Sequence, residues 1–113
     1  MDRLIFGDKV IDYALENILN DIKSITNSPK RIRKSNDSSD ILCSCPFHKG
    51  GLENKPSCSI YIGNEDKTVP VGSFHCWSCG ESGTFQRLVG KFFEESTSWA
   101  KEWLLDNYQT GVL

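Results

Sequence analysis

Two short ligand pairs constrain this chain more than any other feature. Cys45-Pro46-Phe47-His48 is followed, after 27 intervening residues, by Cys76-Trp77-Ser78-Cys79. Two residues between donors let one tight turn aim both at a single ion, and three thiolates with one imidazole fill a tetrahedral sphere. A sphere closed by protein leaves no position for a substrate. The expected cofactor is therefore one structural Zn2+ held by Cys45, His48, Cys76 and Cys79. A redox Cys-x-x-Cys is the alternative for Cys76 and Cys79, but it lacks the usual βαβ context and leaves Cys45 and His48 unexplained.

At 113 residues the chain has room for one domain, or one domain with a helical extension. Folding at this size removes roughly 65% of the unfolded surface from water, so a metal staple would add usefully to a modest core. The five cysteines are an odd number, and no signal-peptide pattern precedes them. Metal binding in a reducing compartment is expected rather than a disulfide framework. No apolar run approaches the about 18 residues needed to span a bilayer, so a soluble, cytoplasmic protein without a membrane partner is expected. The net charge is -2, but it is unevenly spread: residues 23–91 hold ten basic and six acidic residues, and the flanks hold three and nine. A mildly basic centre between acidic flanks suits a local rather than a general polyanion contact.

Along the chain, Asp8 to Ile25 reads as an amphipathic helix. Ile11, Leu15, Ile18, Ile22 and Ile25 recur at steps of four and three, and Asp8 stands where it could cap the start. This segment is taken as a helical extension over residues 1–27, and residues 28–113 as the metal-binding domain with its C-terminal helices. Pro29 ends the helix. The basic run Lys30-Arg31-Ile32-Arg33-Lys34 has two readings, a solvated strand or a phosphate contact. A polar loop follows, then a short strand at Ile41–Ser44 entering the first ligand turn. Ser57 to Ile62 alternates as a strand should, Gly63 to Lys67 reads as a turn, and Val69 to Cys76 as a second strand whose Pro70 marks an edge. The resulting hairpin would bring Cys76 back beside His48. The expected fold is thus α+β, a zinc ribbon with a small antiparallel sheet flanked by helices. Two helices complete it, one from Phe85 to Phe93 capped by Thr84 and one capped by Ser98 with Trp99, Trp103, Leu104 and Tyr108 inward.

Cys43 and Cys58 fall at strand positions and read as small apolar core residues. His75 directly precedes a ligand, so on a strand it should point away from the metal. No Asp-x-Asp and no glycine-rich loop ending in Lys-Ser/Thr occurs, and no catalytic centre is visible in the sequence.

The central residues resemble the zinc-binding domain of bacterial and phage DNA primases. The resemblance rests on Cys45-Pro46-Phe47-His48-Lys49, on Lys55-Pro56-Ser57, and on His75-Cys76-Trp77-Ser78-Cys79-Gly80-Glu81-Ser82-Gly83, and it spans roughly residues 41 to 108. The departures are a longer loop between the ligand pairs, with Gly50 to Asn54 and Glu65 to Gly72 as the apparent insertions, Cys58 in place of phenylalanine, and Thr84 in place of aspartate. A phage or mobile-element relative fits these departures better than a host enzyme.

The resemblance implies a module that reads single-stranded DNA template and supports RNA primer synthesis in DNA replication. Its implied partners are the template, the replicative helicase and a primase catalytic domain or subunit not present in this chain. A rigid sheet can offer aromatic faces to bases beside a basic track for phosphates. The candidate contacts are Lys49, Lys55, Tyr61, Lys67, His75, Trp77 and Arg87. The alternative is a zinc ribbon that docks a replication or transcription partner as a protein-interaction or regulatory module; a thiol redox protein is a third.

Overall fold

A computed structural model describes residues 2–63 and 69–113. The expected turn at Gly63 to Lys67 lies largely outside the described residues, and so does the candidate contact Lys67. The chain is α+β, with three helices and two antiparallel sheets.

The first departure from expectation is at the amino end. Asp8 to Ile25 is not one helix. Strand β1 (Arg3–Phe6) turns at Gly7 and returns as β2 (Lys9–Asp12), and helix α1 begins only at Leu15 and runs to Thr26. Gly7 takes φ +64, a left-handed conformation that glycine adopts without a Cβ penalty, and this permits the tight reversal. The Arg3 guanidinium donates to both carboxylate oxygens of Asp12 (3.1 and 3.3 Å) across the open end of the hairpin. Asp8 sits in the turn and caps nothing. The first N–H of α1, that of Leu15, is instead taken by the Asp2 carboxylate at 2.7 Å. Val10 and Ile11 are buried, as the apolar stripe required, but from a strand. Ile25, read as part of that stripe, is 61% exposed.

Helix α1 buries Leu15, Ile18, Leu19 and Ile22 in the same core as Phe85, Leu88 and Leu104, so the amino-terminal segment shares one core with the rest of the chain. Each such side chain contributes about 1.5–3 kcal/mol on removal from water. Asn27 ends the helix in the left-handed conformation, and the Ser28–Pro29 peptide bond is cis.

The larger sheet runs in sequence order: β3 (Ile32–Lys34), β4 (Asp40–Cys43), β5 (Cys58–Tyr61), β6 (Phe74–Cys76) and β7 (Ser82–Gly83). The basic run thus forms the edge strand β3, where exposed Arg33 and Lys34 discourage pairing with another chain. β6 is shorter than the expected Val69–Cys76 strand, because Gly72 at φ +92 holds the preceding residues in a turn against Phe85 and Leu4. Register places Ile32, Cys43, Cys58 and Cys76 in one row facing the core, and Arg33, Leu42, Ser59 and His75 in the next row facing out.

Helix α2 (Phe85–Phe93) is capped by Thr84, whose hydroxyl accepts the Arg87 N–H. Helix α3 (Thr97–Tyr108) is capped by Ser96, not Ser98: the Ser96 hydroxyl accepts the Trp99 N–H at 3.0 Å. The helices meet at Gly90, where an added Cβ would lie 2.8 Å from the Glu95 carbonyl oxygen. The terminal strand β8 (Gly111–Val112) pairs with β2, so the two ends of the chain close the smaller sheet together. No helix among the described residues is long and apolar enough to cross a membrane.

Candidate metal centre

Cys45 leaves β4 into a turn, and the next three residues carry the chain round to His48, which starts a short 3-10 turn at Lys49–Gly51. Cys76 ends β6, and the following turn reverses at Gly80 (φ +82), whose N–H reaches the Cys76 carbonyl at 2.9 Å. The pairing of β4, β5 and β6 sets these two turns side by side. One donor atom from each of Cys45, His48, Cys76 and Cys79 lies within 4.8 Å of all the others, and the four could hold a metal ion. The Cys45 and Cys79 sulfurs are 3.9 Å apart, and Cys76 Sγ is 3.4 Å from His48 Nε2.

The thiols differ in acidity. Burial opposes ionisation of Cys76, but the Ser57 hydroxyl, the N–H groups of Cys79 and Ser78, and His48 outweigh it and bring its pKa down to about 6. Burial and the sulfurs of Cys76 and Cys45 push Cys79 up to about 11, although the Glu81 N–H acts the other way. Hydrogen bonding with the Cys58 thiol, then burial, pushes Cys45 up. A bound cation would override these differences, since a coordinating thiol loses its proton.

No family model, curated protein or solved structure matches the chain.

Cys43 and Cys58 are fully buried cross-strand partners beside the centre, and neither belongs to the four-donor group. They are core residues, as their strand positions indicate. Hydrogen bonding with Cys43 and burial push the Cys58 thiol up, although its hydrogen bond with Cys45 acts the other way.

Two residues that sequence reasoning passed over support the centre. Glu53, in the loop read as an insertion, is only 8% exposed. Its Oε1 accepts the N–H of Cys45 (3.0 Å) and the N–H and hydroxyl of Ser57, while Oε2 lies 3.6 Å from His48 Nε2. Burial alone would raise its carboxyl, but these donors and His48 hold it below the usual carboxylate range. Ser57 in turn places its hydroxyl 3.4 Å from Cys76 Sγ and 3.5 Å from His48 Nε2. Nothing in a Gly-Gly-Leu-Glu-Asn string points inward, so only the folded loop reveals this. The loop is anchored by Lys30 N–H to the Gly51 carbonyl and by the Ser44 hydroxyl to the Glu53 carbonyl.

The candidate nucleic-acid contacts do not converge on one place. Trp77 is 77% exposed and meets His75 edge-on at 4.5 Å, and both line a shallow groove of about 260 Å³ with Tyr61 and Ser59. Tyr61 is itself only 7% exposed, which leaves little ring surface for a base. Lys49 lines a different cavity with Lys91 and Phe92, and Lys55 is exposed on its loop. Arg87 holds the two ligand turns together. It bonds Glu81 (2.8 Å) and the Ser82 carbonyl (2.7 Å) after the second turn, and covers the Phe47 ring of the first at 4.6 Å. Phe47 stacks on Phe74 at 5.4 Å and 9°, and the same guanidinium lies 5.9 Å from the Phe74 ring.

Proposed function

We propose that the chain is a zinc-ribbon module of the primase type, which binds single-stranded DNA template and supports primer synthesis by a separate catalytic domain. The observation that carries the reading is the four-donor group. Tetrahedral Zn2+, with Zn–S of about 2.3 Å and Zn–N of about 2.0–2.1 Å, sets sulfur–sulfur edges of about 3.8 Å and sulfur–nitrogen edges of about 3.6 Å. The separations of 3.9 and 3.4 Å fit those edges. Cys45, His48, Cys76 and Cys79 would hold the ion, which when bound supplies structural cross-linking of the two turns.

The same strands support the template reading. The ligand Cys76 and the groove residue His75 are neighbours on β6, and strand alternation turns one toward the core and the other outward. The outer face offers His75 and Trp77 for stacking, and register puts the Arg33 position in the same row as His75. Aromatic stacking beside a cation further along the same face is the pattern that binds single strands with little hydrogen-bond readout, and Arg33 lies three strands from His75. The replicative helicase and catalytic domain enter as partners through the Cys-Pro-Phe-His and Cys-x-x-Cys-Gly-x-x-Gly resemblance. A cytoplasmic setting follows from the same reading.

Metal content and template binding test the two halves separately. Purified protein should carry one zinc per chain, and a fluorescent single-stranded oligonucleotide should bind with an affinity that falls as salt rises. Zinc without template binding would retain the ribbon and overturn the primase role. Absence of both would overturn the whole reading.

A further inference from the structure

The aromatic residues of α3 form a second exposed surface, unrelated to the metal centre and independent of the template reading. Five rings follow one another across α2, α3 and the residue after β2. Trp99 and Trp103 flank Phe93 at 5.0 and 4.8 Å, Trp103 meets Tyr108 at 5.5 Å, and Tyr108 meets Tyr13 at 4.9 Å. None of the five is fully buried, and Trp99 is 36% exposed. Ala100, Leu104 and Leu105 fill the inward face of α3, and Phe93, Trp103 and Tyr108 pack partly against the same core, which leaves Trp99 the most open of the α3 rings.

The charges on that face have one sign. Trp99, Glu102, Trp103 and Asp106 stand at i, i+3, i+4 and i+7, which puts all four on one stripe of the helix. Glu102 and Asp106 are exposed, and no ion pair or side-chain hydrogen bond among the described residues engages either carboxylate. Lys101, the basic residue of α3, falls on the far side of this stripe by the same periodicity. Two partly exposed indoles beside unpaired carboxylates repel a phosphate backbone and attract a cation.

We infer that the Trp99–Glu102–Trp103–Asp106 stripe is a docking site for an arginine- or lysine-rich segment of a partner protein. The guanidinium or ammonium groups stack on the indoles, and Glu102 and Asp106 pair with neighbouring cations along the segment. Calorimetric titration of the full metal-loaded chain tests this, with a 12-residue peptide alternating arginine and glycine as the probe. The same peptide with citrulline in place of arginine is the control for charge. The arginine peptide should bind one to one and the citrulline peptide at least tenfold more weakly. Trp99→Ala and the exposed double variant Glu102→Gln/Asp106→Asn should each weaken binding at least fivefold. A double variant of equal charge change elsewhere, Asp8→Asn/Asp40→Asn, should leave it within twofold. Equal binding by both double variants, or by both peptides, would overturn the proposal. So would a concentration-dependent dimer that Trp99→Ala abolishes, which would make a second copy the occupant, or oligonucleotide binding lost in the same variant.

Discussion

The carboxylate of Glu53 lies 3.6 Å from the imidazole of His48 while its other oxygen holds the backbone N–H of Cys45 at 3.0 Å. One buried acid thus fixes the backbone of Cys45, lies beside His48 and, through Ser57, reaches the second ligand turn. Carboxylates placed behind metal ligands typically change metal affinity 10–100-fold, roughly, when they are removed.

Glu53→Ala should therefore weaken zinc binding by about 10–100-fold, measured by competition with a chromophoric chelator. It also strands the Cys45 N–H and the Ser57 donors in a buried site, at a cost of about 2–4 kcal/mol in chemical denaturation. A variant with unchanged zinc affinity would show that the carboxylate only closes the loop.

The thiols should separate into two classes. Cys79→Ser removes a donor and should abolish stoichiometric zinc and the cooperative thermal transition, because metal binding in such sites contributes about 10–16 kcal/mol to folding. Cys58→Ala removes a fully buried thiol outside the four-donor group. It should keep one zinc per chain and lose about 1–3 kcal/mol of stability.

Trp77→Ala probes the proposed template face without disturbing packing, since most of that side chain is in solvent. Loss of one stacking platform should weaken single-strand binding by about 1–3 kcal/mol, with the melting temperature unchanged. Arg87→Ala should behave differently. Arg87 joins the two ligand turns through Phe47, Glu81 and Ser82, so stability should fall along with any binding.

The turn between β3 and β4 carries its own titration. The Ser39 hydroxyl and N–H, then the Ser35 hydroxyl, donate to Asp37 and lower its pKa from 3.8 to about 2. A depressed carboxyl stabilises the fold above its ordinary pKa, and that contribution disappears as pH falls from about 4 toward 2. Carbon-13 NMR of the Asp37 carboxyl should show a midpoint near 2 in the native protein, moving up toward the ordinary range in Ser39→Ala.

Gly90→Ala tests the contact between the last two helices. A methyl group there meets the backbone oxygens of Glu95 and Ser96 at 2.8 and 3.0 Å, and backbone cannot rotate away as a side chain can. The substitution should cost about 1–3 kcal/mol, seen as a lower melting temperature with zinc content retained.

Local chemistry carried far in this chain. Donor spacing alone identified Cys45, His48, Cys76 and Cys79 as one group, because a two-residue gap specifies the geometry of a turn without reference to the rest of the fold. Thr84 and the apolar spacing behind it defined α2 for the same reason. Alternation marked β5, a short apolar stretch marked β4, and the strand positions of Cys43 and Cys58 read as core. What only the tertiary structure decided lies in pairings between distant residues. Val10 and Ile11 satisfy both a helical and a strand pattern, and Gly7 with the partner strand Gly111–Val112, about a hundred residues on, selected the strand. Glu53 reads as a solvated loop acid until the loop folds over Ser44 and meets the N–H of Cys45. Arg87 reads as a free cation until Glu81 and Phe47 close on it. A motif is legible when its partners are neighbours in sequence, whereas a buried charge takes its role from groups that only long-range packing brings within reach.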